Sequence, residues 1–505
     1  MSNRHEDAKA LRISKELANA HNWKHLARWN GEGFYELATE DTGEVRVRLF
    51  FTPQLLEAAE EILYRQIVNA TRFPGVRMVV ITPDAHYGYG VPVGCVLITD
   101  VESGAVAMGP VGYDIGCGMM SARSQVEAER ATQERRLEFN RAVTGRVNMG
   151  FGGKSKKLGR LSEDEFENLV RGGAEYYVEQ YGATFDRSHA ERHRIPVEDG
   201  WQIPWGGKGR PERGREQLGS LGGGNHFIEL QRSEQTGTLF VQVHTGSRGF
   251  GHGLATNYFE LAREEHPELL KDIDLGFFTP ESKHYRDYLN AVAAGGNYAI
   301  LNRLVIFEQV SEAFREVFGE ELELVYEISH NLVQREWHPE FGDVWVHRKG
   351  ATRAFPAGHP FLEGTAWEHT GHPVLIPGSN KDWSYILRPL AGASRSGFSV
   401  NHGAGRRISR GEAMRTLSQR QMDDEYREAG IVVNMDGRVP LDEAAPCYKP
   451  SEEVVAAVVG AGLAEVQHRL WPLASLKGVD ERRGRKGKGK RADVRTKGKK
   501  TSEHY

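Results

Sequence analysis

The chain has 505 residues, 39% of them hydrophobic and 27% charged, which excludes wholesale disorder. At about 150 residues per domain it is long enough for roughly three domains or one unusually large one. Its 58 glycines follow no G-X-Y period, so a collagenous chain is excluded, and no apolar run reaches the ~20 residues of a membrane-spanning helix. The net charge of −4 hides an asymmetry, because residues 481–505 hold 11 Lys+Arg against 3 Asp+Glu. That Gly/Lys-rich tail predicts disorder and affinity for polyanions, with a merely solubilising tail as the alternative. The N-terminus (MSNRHEDAKALR) lacks the apolar core of a signal peptide, and Cys95, Cys117 and Cys447 are too few for a disulfide framework. These features predict a cytoplasmic protein.

In chain order, residues 1–70 read as mainly helical, with a short strand at Val45–Phe51. From residue 76 onward, short apolar β-type runs alternate with glycine-rich turns: Val76–Ile81, Leu239–His244, Leu322–His330, Val344–His347 and Val374–Ile376. Ser162 with Glu165 forms a capping box that opens a helix to about Gln180. Tyr298–Phe318 has an amphipathic helical pattern, Ser409 with Glu412 caps a helix to about Ala429, and Val454–Leu470 is the last predicted helix. Trp201–Gln217 is too rich in Gly, Pro and Arg for a regular element and predicts an exposed insertion. There is no internal repeat of 20–50 residues. Glycine-dense loops at 84–118, 206–225, 244–253 and 397–411 point to one site assembled from distant segments.

Asp114 and Cys117 share the glycine-bounded turn GYDIGCG, where a carboxylate and a thiol reach one metal and a thiolate can bridge two. His226 follows a glycine turn, whereas His244 and His330 each end an apolar run and open into a loop. Singly, each is more often a packed residue. Together, one Asp, one Cys and three His form a mono- or dinuclear set that leaves zinc, manganese and iron open. His402, in NHGAGR, has small neighbours and a turn suited to an anion, so it is a candidate nucleophile or acid/base, or else an incidental turn residue. Ser247, Arg248, Arg348, Lys349 and Arg353 are phosphate-binding candidates. NMGFGGKS is not a Walker A loop, because Asn148 stands where the first glycine belongs. The loop Asp84–Gly94 (DAHYGYGVPVG) is either a substrate-contact loop or a turn-rich hairpin, and spacing alone assigns nothing to Tyr448 or Lys477.

Read together, the strings PDAHYGYGVPVG, VGYDIGCGM, LGGGNHFIEL, HTGSRGFGH, ISHN, HRKGATRAFPAG, PVLIPGS and NHGAGR resemble, in that order, the RtcB-type GTP-dependent RNA ligases. The resemblance covers most of 75–480. It implies two Mn2+ ions sharing Cys117, one completed by Asp114 and His226 and the other by His244 and His330. It implies that His402 attacks the α-phosphate of GTP to form a histidine–GMP adduct. Guanylate then passes to an RNA 3′-phosphate, and a 5′-hydroxyl attacks that end and releases GMP; 2′,3′-cyclic phosphates are opened before joining. The implied nucleotide contacts, besides His226, His330 and His402, are Asn225, Glu229, Arg248, Asn331, Pro377, Gly378, Ser379, Asn380, Ser384, Gly403, Ala404, Gly405, Tyr448 and Lys477. Tyr448 would stack on guanine, Lys477 would meet its edge, and Arg248 would hold phosphates of the nucleotide or the RNA end.

The expected fold is α+β: a large single domain with a sandwich-like β-sheet core, surrounding helices, and glycine-rich loops forming one dinuclear metal and nucleotide cleft. Its expected divisions are a mainly helical N-terminal region packed on the core (1–75), an RtcB-like catalytic domain (76–480) and a basic disordered tail (481–505). The implied partner is RNA with 3′-phosphate and 5′-hydroxyl ends, in RNA repair or tRNA splicing, with room for an accessory activator protein and no membrane. Departures from the family pattern are Gly116 where Asn is usual, the 201–217 segment, a poorly matching N-terminus and the added tail. The competing readings are a metal-dependent phosphoesterase, with His402 as acid/base and no nucleotide adduct, and a non-catalytic nucleic-acid binder.

Overall fold

Two large sheets carry the computed structural model, which describes residues 17–182, 185–186, 189, 194–267 and 272–478. The seven-stranded sheet runs, edge to edge, Ala27–Trp29, Tyr35–Leu37, Arg46–Leu49, Val76–His86, Val93–Asp100, Gly342–Lys349 and Asn331–His338. The eight-stranded sheet runs Glu323–Ser329, Gly118–Glu127, Thr238–Thr245, Phe227–Ser233, Ala464–Lys477, Ser384–Pro389 and Val374–Ile376, with Val432–Val433 beside Ala464–Lys477. Almost all pairings are antiparallel; Arg46–Leu49 lies parallel to Val76–His86, and Val432–Val433 lies parallel to Ala464–Lys477.

The sheets pack face to face. Val96, Ile98, Val344 and Val346 of the first share a buried cluster with Val374, Ile376, Leu387 and Ala464 of the second. The outer face of the first sheet is covered by the helices Pro53–Ala58 and Glu61–Ala70, through Leu55, Leu63 and Ile67. The helices Gln133–Arg146, Glu163–Tyr181, Arg248–Glu265 and Tyr285–Phe318 cover the outer face of the second. The period of two is explicit on Gly118–Glu127, where Met119 faces the inner side while Met120 and Ala122 face the helices. This is the expected α+β arrangement, with helices outside a sandwich-like core.

Local expectations fare unevenly. The Ser162 hydroxyl accepts a hydrogen bond from the Glu165 N–H at 3.1 Å, capping Glu163–Tyr181 as predicted. The predicted helix at Tyr298 begins instead at Tyr285, running through Gly295 and Gly296. Those glycines do not break the helix. They permit close packing, because a Cβ would stand 2.9 Å from Ile115 at Gly295 and 2.8 Å from Ile195 at Gly296. The helix expected to reach Ala429 is two helices, Arg410–Thr416 and Gln419–Glu428, the second capped by Ser418. Val454–Leu470 is not one helix: Ser451–Gly460 is helical, Gly462 turns at φ +64°, and Ala464 begins the long strand. In the N-terminal region three short strands join the first sheet beside the two helices. The segment Trp201–Gln217 is not an exposed insertion, since Trp201 and Ile203 are buried in the main core and Pro211–Glu216 packs against Arg248–Glu265. The tail at 481–505 lies outside the described residues. Among those described, no helix is long and apolar enough to cross a membrane.

Candidate metal and nucleotide site

The half of the eight-stranded sheet that begins at its edge strand Glu323–Ser329 brings four of the five predicted ligands onto adjoining strand ends. Cys117 precedes Gly118–Glu127, His226 precedes Phe227–Ser233, His244 lies near the end of Thr238–Thr245, and His330 follows Glu323–Ser329. In the register, Met119 pairs with His244 and Gly118 with Ser329, so the strand ends converge. Asp114 enters from the preceding turn. Cys117 Sγ lies 3.5 Å from His226 Nε2 and 3.4 Å from His244 Nε2. Asp114 Oδ2 is 3.1 Å from His226 Nε2, and the Nε2 atoms of His244 and His330 are 3.3 Å apart. The donors form two triads, Asp114–Cys117–His226 and Cys117–His244–His330, each with ligand atoms within 4.8 Å of one another and sharing the cysteine.

The surroundings set the tautomers. His226 Nδ1 donates to the Leu221 carbonyl at 3.0 Å and His244 Nδ1 donates to the Asn225 carbonyl at 3.1 Å, so in the neutral rings both Nε2 lone pairs point into the cluster. Burial, with His226 nearby, holds His244 well below the ordinary imidazole range, and burial with His402 and His244 does the same to His330. Burial would raise the Asp114 carboxyl, but His226, Cys117 and the Ser247 N–H outweigh it and hold it at about 2. Burial and Asp114 push the Cys117 thiol well up. Facing lone pairs on nitrogen and sulfur beside a carboxylate repel one another unless a cation sits among them, so the donor set fits divalent metal.

The backbone beneath the ligands is held by a residue that sequence reasoning missed. Arg303, fully buried on Tyr285–Phe318, pairs with buried Glu327. Its guanidinium donates to the carbonyls of Gly116 (2.7 Å) and Thr245 (2.9 Å) and to Ser329 Oγ (2.8 Å). Each contact lies one residue from a ligand: Cys117, His244 and His330.

His402 stands beside this cluster, its ring 4.8 Å from that of His330. Its Nδ1 lies 2.6 Å from Asp84 Oδ2, which also accepts the N–H groups of His402 (3.1 Å) and Gly403 (3.2 Å), while Asp84 Oδ1 accepts from Thr82 Oγ1 at 2.6 Å. Asp84 is fully buried; burial would raise its carboxyl, but His402 and these hydrogen bonds hold it low. With Nδ1 protonated toward Asp84, Nε2 is free to act. In the sequence Asp84 is visible only as part of a glycine loop.

The remaining predicted contacts fall into connected groups. Tyr448 donates its hydroxyl to Glu443, and the Arg406 guanidinium lies 5.1 Å from the Tyr448 ring centre. Glu443 also accepts from Arg410 (2.8 and 3.0 Å) and stands 3.7 Å from Lys477 Nζ. Burial would raise the Glu443 carboxyl, but Arg410, Lys477 and Arg406 hold it at about 2. Lys477 Nζ sits 5.3 Å over the Phe227 ring, next to His226. Buried Glu229 accepts from Gln231 Nε2 at 2.7 Å, and burial lifts its carboxyl to about 7. Gln231 also reaches Ser384 Oγ (3.1 Å), which accepts from the Gly378 N–H (3.0 Å), linking Glu229 to the Pro377–Asn380 loop. In that loop Asn380 Oδ1 accepts from Tyr426 at 2.5 Å, while the Ser379 carbonyl accepts from Asp382 N–H at 3.1 Å. The Pro377 carbonyl would lie 3.5 Å from a Cβ at Gly403, and the Gly405 carbonyl accepts from the Lys449 N–H, setting the His402–Ala404–Gly405 turn between Pro377 and Tyr448. Asn331 Nδ2 donates to the Asp114 carbonyl at 3.2 Å, and Asn225 contributes its carbonyl to His244.

The phosphate candidates separate. Arg348 is buried with both carboxylate oxygens of Glu336 (2.5 and 2.8 Å), Lys349 donates to the Tyr89 and Val91 carbonyls, and Arg353 lies buried over Phe355. All three are framework residues. Ser247 serves Asp114, through its N–H (3.0 Å) and Oγ (3.2 Å). Arg248 is different: it is buried, in a left-handed conformation at φ +53°, with no carboxylate within ion-pair distance among the described residues.

Comparison with known proteins finds one family over most of the chain. The family described as "tRNA-splicing ligase RtcB" matches residues 66–478. The chain is 36% identical to the tRNA-splicing ligase RtcB of Pyrobaculum aerophilum over 467 residues, covering 86% of this chain and 95% of the relative. It is 35% identical to that of Thermococcus kodakarensis (85% and 94%). It is also 35% identical to the RNA-splicing ligase RtcB of Mycobacterium tuberculosis (82% and 100%).

Proposed function

The chain belongs to the RtcB family, and from that premise we propose that it is a GTP- and Mn2+-dependent RNA ligase joining 3′-phosphate or 2′,3′-cyclic phosphate ends to 5′-hydroxyl ends through a histidine–GMP intermediate. The observation that carries the reading is the Asp84–His402 pair beside a two-triad metal set. His402 Nε2 attacks the α-phosphorus of GTP; the N–P bond forms and the bond to pyrophosphate breaks. Asp84 keeps the proton on Nδ1 and stabilises the charge that the ring acquires. An oxygen of the RNA 3′-phosphate then displaces the histidine, and a 5′-hydroxyl displaces GMP.

Asp114, Cys117 and His226 would hold one cation and Cys117, His244 and His330 the other; bound there, such ions neutralise phosphate charge and polarise the reacting oxygens. Arg303 fixes the strand ends from which these ligands project. Tyr448, Lys477 and Glu229 would recognise guanine, with Glu443 holding the first two in place. Asn225, Asn331, Pro377, Gly378, Ser379, Asn380, Ser384, Gly403, Ala404 and Gly405 would complete the nucleotide site. Under this proposal residues 76–480 are the catalytic unit, 1–75 pack on it, and 481–505 add a basic arm for RNA in RNA repair or tRNA splicing. The unpaired state of Cys95, Cys117 and Cys447 suits a reducing cytoplasm.

The test is ligation of two labelled RNA oligonucleotides, one ending in 3′-phosphate and the other beginning with 5′-hydroxyl, with GTP and Mn2+. A joined product that depends on both additions supports the reading. Release of phosphate without joining and without need for GTP would favour a phosphoesterase instead.

A further inference from the structure

Three consecutive glycines precede Asn225 and His226, and their lack of side chains is used on every residue. A Cβ on Gly222 would stand 2.4 Å from Arg248 Nη1 and 2.7 Å from His226 Nδ1; on Gly223 it would stand 3.0 Å from the Phe151 ring; on Gly224, 3.3 Å from Arg410 Nη2. Gly222 and Gly224 also adopt φ of +94° and +70°, closed to most side chains. Successive residues of this thin loop therefore lie against Arg248 and His226, then the Phe151 ring, then Arg410.

Phe151 belongs to the NMGFGGKS string that resembles a phosphate loop without being one. Phe151 is 40% exposed, so core packing does not account for it. Its backbone, in contrast, is pinned. Gly150 N–H donates to the Gly222 carbonyl (2.6 Å), Arg248 Nη2 to the Gly150 carbonyl (3.0 Å), Gln217 Nε2 to the Phe151 carbonyl (3.2 Å) and Ser220 Oγ to the Gly153 carbonyl (3.2 Å). The hydrogen bonds thus fix the place on the loop from which an exposed aromatic side chain projects. Beside it, the buried Arg248 guanidinium donates to Ser220 Oγ (3.3 Å) and the Gly150 carbonyl (3.0 Å) and feels the charge of Asp114 without a direct ion pair among the described residues, which leaves it suited to an anionic ligand.

We propose that Phe151 is a stacking platform for the nucleobase of the RNA 3′-terminal nucleotide, next to Arg248, to which the family resemblance already gives a phosphate-holding role. The proposal rests on the RNA-ligase reading above. The 3′-phosphate end is favoured over the 5′-hydroxyl end because only the former carries a terminal dianion for Arg248. Guanine of the nucleotide substrate shares the same stacking chemistry, but Tyr448 beside Lys477 and Glu443 is the ring expected to take it. Stacking tolerates any base, as a ligase acting on varied ends requires.

The experiment uses the full chain with Mn2+ and RNA carrying 2-aminopurine, either at the 3′-phosphorylated terminal nucleotide or at the 5′-hydroxyl terminal nucleotide. Stacking quenches the 3′ probe in the unaltered protein. Phe151→Ala is expected to abolish that quench and weaken RNA binding by about five-fold or more, the low end of what one stacked base contributes. Phe151→Trp is expected to restore both. Intact mass after GTP reads the adduct step separately and reports that each variant is folded. Unchanged quenching and affinity in Phe151→Ala would overturn the proposal, as would quenching of the 5′ probe alone. A raised GTP requirement with unchanged RNA affinity would assign the ring to guanine and overturn it too. Should the unaltered protein form no adduct, the ligase reading fails, while the quench still decides whether a base stacks on Phe151.

Discussion

Arg303 makes the claim that the ligand set is held from below open to a quantitative test. Arg303→Met removes a fully buried guanidinium and strands the equally buried Glu327 carboxylate, and breaking such a pair costs about 3–5 kcal/mol. It also orphans the Gly116 and Thr245 carbonyls, at about 1–3 kcal/mol for each unsatisfied group, though these terms do not simply add. The double variant Arg303→Met/Glu327→Met removes both charges in similar volume, so it should regain the part due to the stranded carboxylate and keep the part due to the orphaned carbonyls. Urea denaturation of the metal-free protein reads the stability. Titration with Co2+, followed by thiolate-to-cobalt absorption, reads the site. Loss of a residue supporting metal ligands typically costs about 10–100-fold in affinity, and both variants should show a loss of that order. A double variant that binds Co2+ with parental affinity and spectrum would refute the idea that Arg303 positions Cys117, His244 and His330, leaving it a packing residue.

Other consequences follow from individual groups. Burial raises the Glu229 carboxyl from 4.5 to about 7, so between those values the folded protein binds a proton that the unfolded chain has released. Stability therefore falls as pH rises through that window, by about 3 kcal/mol in all. Glu229→Gln should flatten the fall and be more stable than the parent at pH 8 in urea denaturation; an identical pH profile would contradict it. Asp84→Asn can keep an acceptor for the His402 Nδ1–H by turning its NH2 toward Thr82, but it removes the negative charge that stabilises the ring as it becomes positive, so adduct formation should slow, by up to about 10⁴ by analogy with a catalytic Asp–His pair. Undiminished adduct formation would remove Asp84 from the chemistry. Deleting 481–505 removes 11 basic residues and should flatten the salt dependence of RNA binding by about 0.7 log unit for each RNA phosphate that the tail neutralises. An unchanged slope would leave the tail a solubilising one.

Much of the site is legible in the sequence because the ligand residues lie at strand ends inside short glycine-bounded strings: Cys117, His226, His244 and His330 each mark the passage between apolar run and loop. What stays hidden depends on contacts across long separations. Asp84 and His402 are 318 residues apart, and nothing local distinguishes that aspartate from a turn residue. Arg303 sits mid-helix, where a charged residue ordinarily marks the solvated face; only its depth shows that it turns inward. The Trp201–Gln217 segment misleads because Gly, Pro and Arg report backbone irregularity, not exposure; Trp201 and Ile203 carry the burial. Arg348 attracts a phosphate role by charge alone, and Glu336, its partner across the strand pair Asn331–His338 and Gly342–Lys349, explains that charge instead.

The most direct measurement of the central claim is intact mass after incubation with GTP and Mn2+, made on the unaltered chain and on His402→Ala. The account predicts a gain of one GMP on the unaltered chain, labile to acid and stable to alkali as a phosphoramidate is, and no gain on His402→Ala. A GMP adduct that persists in His402→Ala would contradict it, and so would a metal-loaded, RNA-joining protein that never carries GMP.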